Sequence, residues 1–133
     1  MEMPKISVVV VTWNRKEDVL ETIQSVYDQG FPHFEIIVVD NGSVDETCEA
    51  IRDTYPDVRL VALDSNLGPT GGRNAGIKIA RGEIIFCLDS DASLEQDALQ
   101  YIVQKFEQDV LLGVINSKII NAHTGEFDQN AGW

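Results

Sequence analysis

Four short runs of almost continuous apolar residues, separated by segments with helical spacing, constrain the fold more than any other feature. The runs occupy residues 6–11, 36–39, 58–63 and 83–88. Apolar runs without polar alternation are typical of parallel strands that are buried on both faces. Strands that alternate with helices form right-handed βαβ units. The pattern therefore predicts an α/β fold, a three-layer α/β/α sandwich with a mostly parallel, Rossmann-like sheet.

Three helix starts are predicted from capping boxes, in which a polar residue precedes a Glu or Gln by three positions. The boxes are Asn14 with Glu17, Ser43 with Glu46, and Ser93 with Gln96. A glycine-rich loop is predicted at residues 67–72, ahead of a further short helix. Additional strand is predicted at residues 114–117 and 118–120, and a hairpin turn at residues 123–126. The 133 residues are interpreted as one domain.

Polar residues follow each predicted strand, in clusters at residues 12–15, 40–43, 64–66 and 89–91. Because the carboxyl ends of parallel strands share one edge of a sheet, where ligands bind, we expect these clusters to meet. Helix capping is the alternative explanation, since Asp, Asn and Ser favour the N-cap position. Asp40, Asp89 and Asp91 lie outside the predicted capping boxes, although each of them also fits a turn residue or a solvated carboxylate.

The segment NLGPTGGRNAG, residues 66–76, contains a cation where the other helices have acids. Arg73 lies at the predicted start of the third helix, whereas the first turns of the other three helices are acidic. A bound anion would favour a cation beside the free N–H groups of a helix start. Exposure to solvent or pairing with an aspartate explains Arg73 equally well. The segment is not a Walker motif, because no Gly-Lys-Ser/Thr follows.

Two aspartates one residue apart, Asp89 and Asp91, stand at the end of the fourth apolar run. Such carboxylates present oxygen ligands to a hard cation such as Mg²⁺ or Mn²⁺, which binds through one or two carboxylates plus substrate phosphates. The acidic edge, the helix start suited to an anion and the nearby cationic side chains together predict a nucleoside diphosphate site with a bridging metal.

Composition restricts the partners and the compartment. The net charge of −12 argues against a nucleic-acid partner and against binding to an anionic membrane surface. The first apolar run is too short to span a bilayer and lacks a cleavage site, so no transmembrane segment or signal peptide is expected. Cys48 and Cys87 are predicted to be buried free thiols, which fits a reducing compartment. His33 and His123 are predicted to lie at the surface.

Four motifs carry a family resemblance in their order and spacing. They are SVVVVTWNR, IIVVDNGSVDET, NLGPTGGRNAG and GEIIFCLDSDA. Together they resemble the nucleotide-binding half of family 2 glycosyltransferases, which have the GT-A fold, from about residue 5 to residue 106. The resemblance implies a nucleotide-sugar site formed by Thr12, Trp13, Asn14, Arg15, Asp40, Asn41, Gly42, Asn66, Gly72, Arg73, Asp89 and Ser90.

The resemblance also implies a role for individual positions. Asp40 would hydrogen-bond the base, usually uracil, and Arg73 would lie near the base or the diphosphate. Asp89 would approach the ribose and the metal, and Asp91 would bind the metal, Mn²⁺ or Mg²⁺. Trp13 would either flank the base or serve in packing.

The implied reaction is transfer of a sugar, with inversion, from a UDP-sugar to an acceptor hydroxyl. A dTDP- or GDP-sugar is the alternative donor, and the acceptor is a glycan, a lipid-linked molecule or a protein. The general base is expected beyond residue 133, because Glu126 and Asp128 qualify only as acids. The chain is therefore expected to be a donor-binding domain cut from a longer cytoplasmic enzyme, peripheral at the inner face of the membrane, or a shortened family member.

Three other functions remain open from the sequence. A module that binds nucleotide or nucleotide-sugar without transfer needs only the donor half. A sugar-phosphate nucleotidyltransferase would favour a glycine-rich basic loop after the first strand, and residues 12–18 contain no glycine. A plain interaction domain leaves Asp40, Arg73 and the two neighbouring aspartates without a common cause.

Overall fold

The structure, a computed structural model, describes residues 2–127 and contains four strands that alternate with four helices. The strands are β1 (Ile6–Thr12), β2 (Phe34–Asp40), β3 (Arg59–Ala62) and β4 (Ile84–Asp89). The helices are α1 (Lys16–Tyr27), α2 (Thr47–Thr54), α3 (Gly68–Ile79) and α4 (Ala98–Gln108). The sheet order is β3-β2-β1-β4, and all of its strand pairs are parallel. The predicted α/β fold and its four strands are confirmed.

Helices cover the sheet on both faces. One face of β1 packs with α1, α2 and α4 in a core that includes Val8, Val10, Ile23, Ile51 and Leu99. The opposite face packs against α3 in a smaller core of Val9, Ile37 and Val39 with Ala75 and Ile79. Because neighbouring residues of a strand point to opposite faces, a continuous apolar run is what this double burial requires.

The glycine-rich loop prediction for residues 67–72 is wrong, because most of this segment forms the first turns of α3. A Cβ atom on Gly72 would lie 2.6 Å from Cγ1 of Val11, and one on Gly76 would lie 2.5 Å from Cγ1 of Val9. Tight packing on the sheet therefore requires glycine at these two positions of the helix. Pro69 lies in the first turn, where its missing N–H costs little.

The three capping-box predictions are also wrong. The residues directly before α1, α2 and α4 are Arg15, Glu46 and Asp97, and none of these described residues caps its helix with its side chain. Glu46 and Asp97 have φ angles of 64° and 63°, in the left-handed region. Ser43 bonds Asp40 instead, and Asn14 bonds the backbone of Val44. The side chains of Asn14 and Ser43 therefore join the loops after β1 and β2 instead of capping helices.

The acidic first turn predicted for the fourth helix is likewise wrong, since Glu95 and Asp97 precede α4, which starts at Ala98. Residues 114–119 form no strand within the described part of the chain. A single antiparallel bridge joins Ile120 to Phe127. The hairpin turn at residues 123–126 is confirmed, because the N–H of Gly125 donates to the carbonyl oxygen of Asn121 at 2.8 Å.

Both cysteines are free, as predicted, but their burial differs from the prediction. Cys48 is half-buried and Cys87 is exposed. Cys87 pairs in register with Val9, so it shares the sheet face that α3 covers over β1 and β2. β4 is the edge strand on this side, and Ile85 on the same face is also exposed.

Both histidines are exposed, as predicted. Among residues 2–127 no helix is long and apolar enough to cross a membrane.

Candidate functional site at the carboxyl edge of the sheet

The polar clusters that follow the strands lie at one edge of the sheet. In the parallel register Thr12 pairs with Asp40, Val11 pairs with Asp89, and Asp40 pairs with Ala62. Three of these residues, Thr12, Asp40 and Asp89, are the last residues of β1, β2 and β4. The strands therefore end nearly level, and the loops that follow them start side by side.

Asp40 is buried and is held by the loop that follows it. Only 2% of its surface is exposed. One carboxylate oxygen accepts from the N–H of Ser43 at 2.9 Å and the other accepts from its hydroxyl at 2.5 Å. A carboxylate has about four acceptor sites, so Asp40 retains capacity for a ligand donor. Burial, together with the hydrogen bond to Asp40, raises the pKa of the Cys48 thiol to about 11.

Ser43 also joins the loop after β1 to the loop after β2. Its hydroxyl oxygen accepts from the N–H of Asn14 at 2.8 Å, and the side-chain oxygen of Asn14 accepts from the N–H of Val44 at 2.9 Å. Asn14 has a φ of 51°, a left-handed conformation that asparagine tolerates better than most residues. The loops thus form one hydrogen-bonded unit around Asp40.

Asp45 links the starts of two helices, a role that the sequence analysis missed. Its carboxylate accepts from the backbone N–H of Lys16 at 3.2 Å, from the backbone N–H of Thr47 at 3.3 Å and from the Thr47 hydroxyl. The hydroxyl bond, followed by the backbone bonds, outweighs desolvation and lowers the pKa of Asp45. The sequence signal for half of this arrangement is an Asp two residues before a Thr at a helix start. The bond to Lys16 depends on tertiary structure.

Asn41 and Gly42 directly follow β2 and fix the start of α3. Asn41 is 3% exposed, its NH₂ donates to the carbonyl of Gly68 at 3.1 Å, and its oxygen accepts from the N–H of Leu67 at 3.3 Å. Gly42 has a φ of 80°, and a Cβ atom there would lie 3.2 Å from Cα of Ser65. Asn66 accepts from the N–H of Gly68 at 2.8 Å. These residues hold the loop after β3 against the end of β2.

Three further predicted site residues follow or end β1. Thr12 is 1% exposed, and its hydroxyl is the one buried side-chain oxygen or nitrogen without a partner among the described residues. Trp13 is 53% exposed. Arg15 forms an ion pair with Asp18 at 2.9 Å. Trp13 and Arg15, with Asn14, line an open cleft of about 470 Å³. An unpaired buried hydroxyl is costly, so a donor or acceptor supplied by a ligand would stabilise it.

The loop after β4 presents its acids to solvent. The Asp89 side chain is 65% exposed and its carboxylate lies 3.4 Å from the Arg73 guanidinium, which is itself 45% exposed. Asp91 is exposed and Ser90 is half-buried. Arg73 lies in the second turn of α3, since the helix starts at Gly68, so the expected cation in the first turn is wrong. Pairing with an aspartate, one of the two alternatives for Arg73, is present.

The described residues contain no group of three or more His, Cys, Asp or Glu side chains that fits a metal ion. Asp89 and Asp91 therefore form at most a two-carboxylate site within residues 2–127. Two exposed carboxylates match the protein share of a Mg²⁺ or Mn²⁺ site that is completed by phosphate oxygens. The donor set fits a hard cation bound together with a diphosphate. Glu126 lies exposed in the hairpin turn, and Asp128 lies outside the described residues.

Comparison with known proteins gives a consistent family assignment. The family model described as Glycosyl transferase family 2 matches residues 7–130. The chain is 36% identical over 120 residues to a poly-beta-1,6-N-acetyl-D-glucosamine synthase of Staphylococcus epidermidis, covering 87% of this chain and 29% of that protein. It is 40% identical over 106 residues to the succinoglycan biosynthesis protein ExoO of Rhizobium meliloti, covering 78% of this chain and 30% of that protein.

Solved structures show the same fold. S. aureus TarS 1-349 in complex with UDP-GlcNAc has a TM-score of 0.73 and 30% identity, covering 78% of this chain and 31% of that chain. The mannosyltransferase PcManGT from Pyrobaculum calidifontis, in complex with GDP-Man and Mn²⁺, has a TM-score of 0.69 and 28% identity, covering 82% of this chain and 34% of that chain. The chain thus spans about a third of the length of the proteins that it matches.

Proposed function

The chain belongs to glycosyl transferase family 2, and we propose that it is the donor-binding domain of a glycosyltransferase that uses a nucleotide-sugar. One observation carries the proposal most directly. A buried carboxylate fixed at the end of β2 and two exposed carboxylates at the end of β4 lie at the same edge of the sheet, on either side of β1. The buried carboxylate of Asp40 suits recognition of a base. The exposed carboxylates of Asp89 and Asp91 suit a metal that binds beside a diphosphate.

The nucleoside end of the proposed site consists of residues 12–15 and 40–45. Asp40 would accept a hydrogen bond from an N–H of the base, such as N3–H of uracil. The corresponding nitrogen of cytosine carries no hydrogen, so the carboxylate would repel it. The exposed indole of Trp13 offers a face for stacking on the base. A UDP-sugar is the first candidate donor, and dTDP- and GDP-sugars, whose bases also carry a ring N–H, are the alternatives.

The metal end of the proposed site consists of residues 89–92. Asp89 and Asp91 would hold Mn²⁺ or Mg²⁺, which supplies neutralisation of the negative charge on the departing diphosphate. Arg73 reaches Asp89 at 3.4 Å, and its guanidinium would donate to a phosphate oxygen bound near the same carboxylate. The complex of PcManGT with GDP-Man and Mn²⁺ supports this choice of cofactor.

The whole enzyme would transfer the sugar, with inversion, to a hydroxyl of a glycan, a lipid-linked molecule or a protein. We place the general base outside residues 1–133, and the threefold greater length of the curated relatives supports this placement. The proposed compartment is the cytoplasm, at the inner face of the membrane. Its support is the pair of free thiols, which is typical of a reducing compartment.

A thermal-shift panel of UDP, GDP, dTDP and CDP, each with and without Mn²⁺, tests the donor site. A ligand at 100 times its Kd stabilises the folded state by about 2.7 kcal/mol, which raises Tm by several degrees. We expect the largest shift with UDP and Mn²⁺ and the smallest with CDP. Absence of a shift with every nucleotide contradicts the proposal.

A nucleotide-binding module without transferase activity is the second candidate. Its support is the short span of the chain relative to its relatives. Release of UDP from UDP-sugars, assayed with the chain and with the full-length protein, separates the two functions. Release by the full-length protein in the presence of an acceptor preparation supports the transferase, and binding without release in both supports the module.

A further inference from the structure

A polar face on and just after α1 is used by none of the roles described above. Thr22 and Ser25 are three residues apart and lie on one side of α1, and Gln29 follows two residues after the last residue of the helix, Tyr27. Thr22 is 1% exposed, Gln29 is 9% exposed and Ser25 is half-buried. Buried polar side chains on a helix face that packs on the core are costly unless they are hydrogen-bonded. Their partners therefore indicate what this face is for.

All three side chains bond the backbone of one segment, residues 90–99. The Thr22 hydroxyl lies 2.9 Å from the carbonyl oxygen of Ser90 and 2.8 Å from that of Ala92. The Ser25 oxygen accepts from the N–H of Leu94 at 3.2 Å.

Gln29 completes the series at the far end of the segment. Its NH₂ donates to the carbonyl of Glu95 at 2.8 Å, and its oxygen accepts from the N–H of Leu99 at 3.2 Å. Leu99 is the second residue of α4, so this amide contact also satisfies a free N–H group at the start of that helix.

The segment begins at the proposed metal end. The Thr22 hydroxyl lies within hydrogen-bond distance of the carbonyl oxygens of both neighbours of Asp91, Ser90 and Ala92, and the N–H of Ala92 donates to the carbonyl of Asp89 at 3.1 Å. The Asp91 side chain itself is exposed, so its position depends on the path of its backbone. The contacts from α1 fix that path from the buried side and leave the carboxylate free to bind.

We propose that Thr22, Ser25 and Gln29 are positioning residues that set the place of Asp91 and thereby the affinity of the donor site for its divalent metal. This inference rests on the proposed function and deepens it. Groups that orient a metal ligand without touching the metal typically change metal affinity by about 10- to 100-fold when they are lost. Of the three residues, Thr22 contacts the backbone of the two neighbours of Asp91, so loss of its hydroxyl has the largest effect.

The test compares Thr22→Val, which keeps the shape and loses the hydroxyl, with Thr22→Ser, which keeps the hydroxyl. Two affinities are measured for each: Kd for Mn²⁺ at saturating UDP, by electron paramagnetic resonance of free Mn²⁺, and Kd for UDP in EDTA, by ligand-observed NMR. We expect Thr22→Val to weaken Mn²⁺ binding about tenfold and to change UDP binding in EDTA by less than about twofold. Thr22→Ser should stay near wild type in both.

Thr54→Val, at the exposed threonine that ends α2 and has no role in the proposed site, is the control for loss of a threonine hydroxyl and should change neither affinity. If Thr22→Val does not fold, Ser25→Ala replaces it, with the same pattern and a smaller loss. The inference is overturned if Thr22→Val leaves the Mn²⁺ affinity unchanged, or if the substitution weakens binding equally with and without metal. Either result leaves the proposed function standing. A wild-type chain that binds no UDP in either condition overturns the proposed function, and the inference with it.

Discussion

At the nucleoside end, hydrogen bonds made by the side chains of the site itself fix the loops. At the metal end, hydrogen bonds to backbone groups fix the loop, and the side chains of the two aspartates are exposed. At the nucleoside end Ser43 bonds both Asp40 and Asn14, and Asp45 bonds the starts of two helices. At the metal end the carboxylates of Asp89 and Asp91 face solvent, and the buried contacts go to peptide groups.

The difference fits what each end is proposed to bind. Recognition of a flat base depends on one acceptor in a fixed direction, and a preorganised acceptor loses little entropy on binding. The coordination shell of such a metal ion is complete only when the ion and the substrate phosphates have both bound. The protein carboxylates therefore stay hydrated until then. The comparison therefore predicts that substitutions at the two ends change different parts of the binding free energy.

Loss of a metal ligand should have the largest effect. Asp91→Ala is expected to remove the whole Mn²⁺-dependent gain in UDP affinity, because one exposed carboxylate remains, which is too little to hold the ion. Isothermal titration of UDP with Mn²⁺ and with EDTA measures the gain directly. Affinity in EDTA should stay at the wild-type value, and a gain that survives the substitution would rule out Asp91 as a ligand.

Substitution of the buried carboxylate should change base preference. Asp40→Asn is expected to weaken UDP binding by about 1.5–3 kcal/mol, the range for a hydrogen bond to a charged group, with and without metal alike. An asparagine NH₂ donates to N3 of cytosine, so the preference for UDP over CDP should shrink. Competition between the two nucleotides measures the ratio. Asp64→Asn, at the exposed acid after β3, is the matched control.

The carboxylate that joins α1 and α2 should affect stability and its dependence on pH. Asp45→Ala is expected to cost about 1 kcal/mol at pH 7, as for loss of a helix cap. The pKa of Asp45 is lowered in the folded state. Its contribution is therefore present above the ordinary carboxyl range and is lost as pH falls through the folded-state pKa.

Urea unfolding at a series of pH values measures this contribution. The free-energy difference between wild type and Asp45→Ala should be largest near neutral pH and should shrink towards pH 3. A difference that grows as pH falls would contradict a stabilising role of the ionised Asp45 carboxylate at the two helix starts.

The smallest effect is expected where backbone strain can be relieved. Glu46 has a φ of 64°, where a residue with a side chain is disfavoured by roughly 1–2 kcal/mol. Glu46→Gly should stabilise the fold by about 0.5–1 kcal/mol, after the entropy cost of glycine. Glu49→Gly, the control in the first turn of α2, should destabilise it by about 1 kcal/mol. Calorimetric Tm values for both variants test whether the residue directly after the nucleoside end contains this strain.

The sheet was predictable because its signal is local. Each strand is a continuous apolar run, and the alternation with helices gives parallel pairing and one common edge. Asp40 and Asp89 come at the carboxyl ends of predicted strands, so their place at the common edge was predictable from the strand pattern alone. The exposure of Cys87 was not predictable in this way, since an apolar run does not reveal which strand lies at the edge of the sheet.

The errors arise where the partner of a side chain is distant along the chain. Ser43 has the spacing of a capping box with Glu46, but its hydroxyl accepts from the N–H of Asn14, which lies 29 residues earlier. Thr22 and Gln29 look like ordinary polar helix residues, and their partners lie 66 to 70 residues further on. The glycines of α3 favour a loop by propensity, yet their place is set by packing on β1.

A two-stage NMR titration of the uniformly ¹⁵N-labelled chain tests the central claim, that one donor site has two separately built ends. UDP is added first in EDTA, and the EDTA is then replaced by Mg²⁺. We expect amide shifts first within residues 12–15 and 40–45, and then new shifts within residues 89–92 when the metal is present. Shifts that appear at both ends in EDTA, or only away from the carboxyl edge of the sheet, would contradict it.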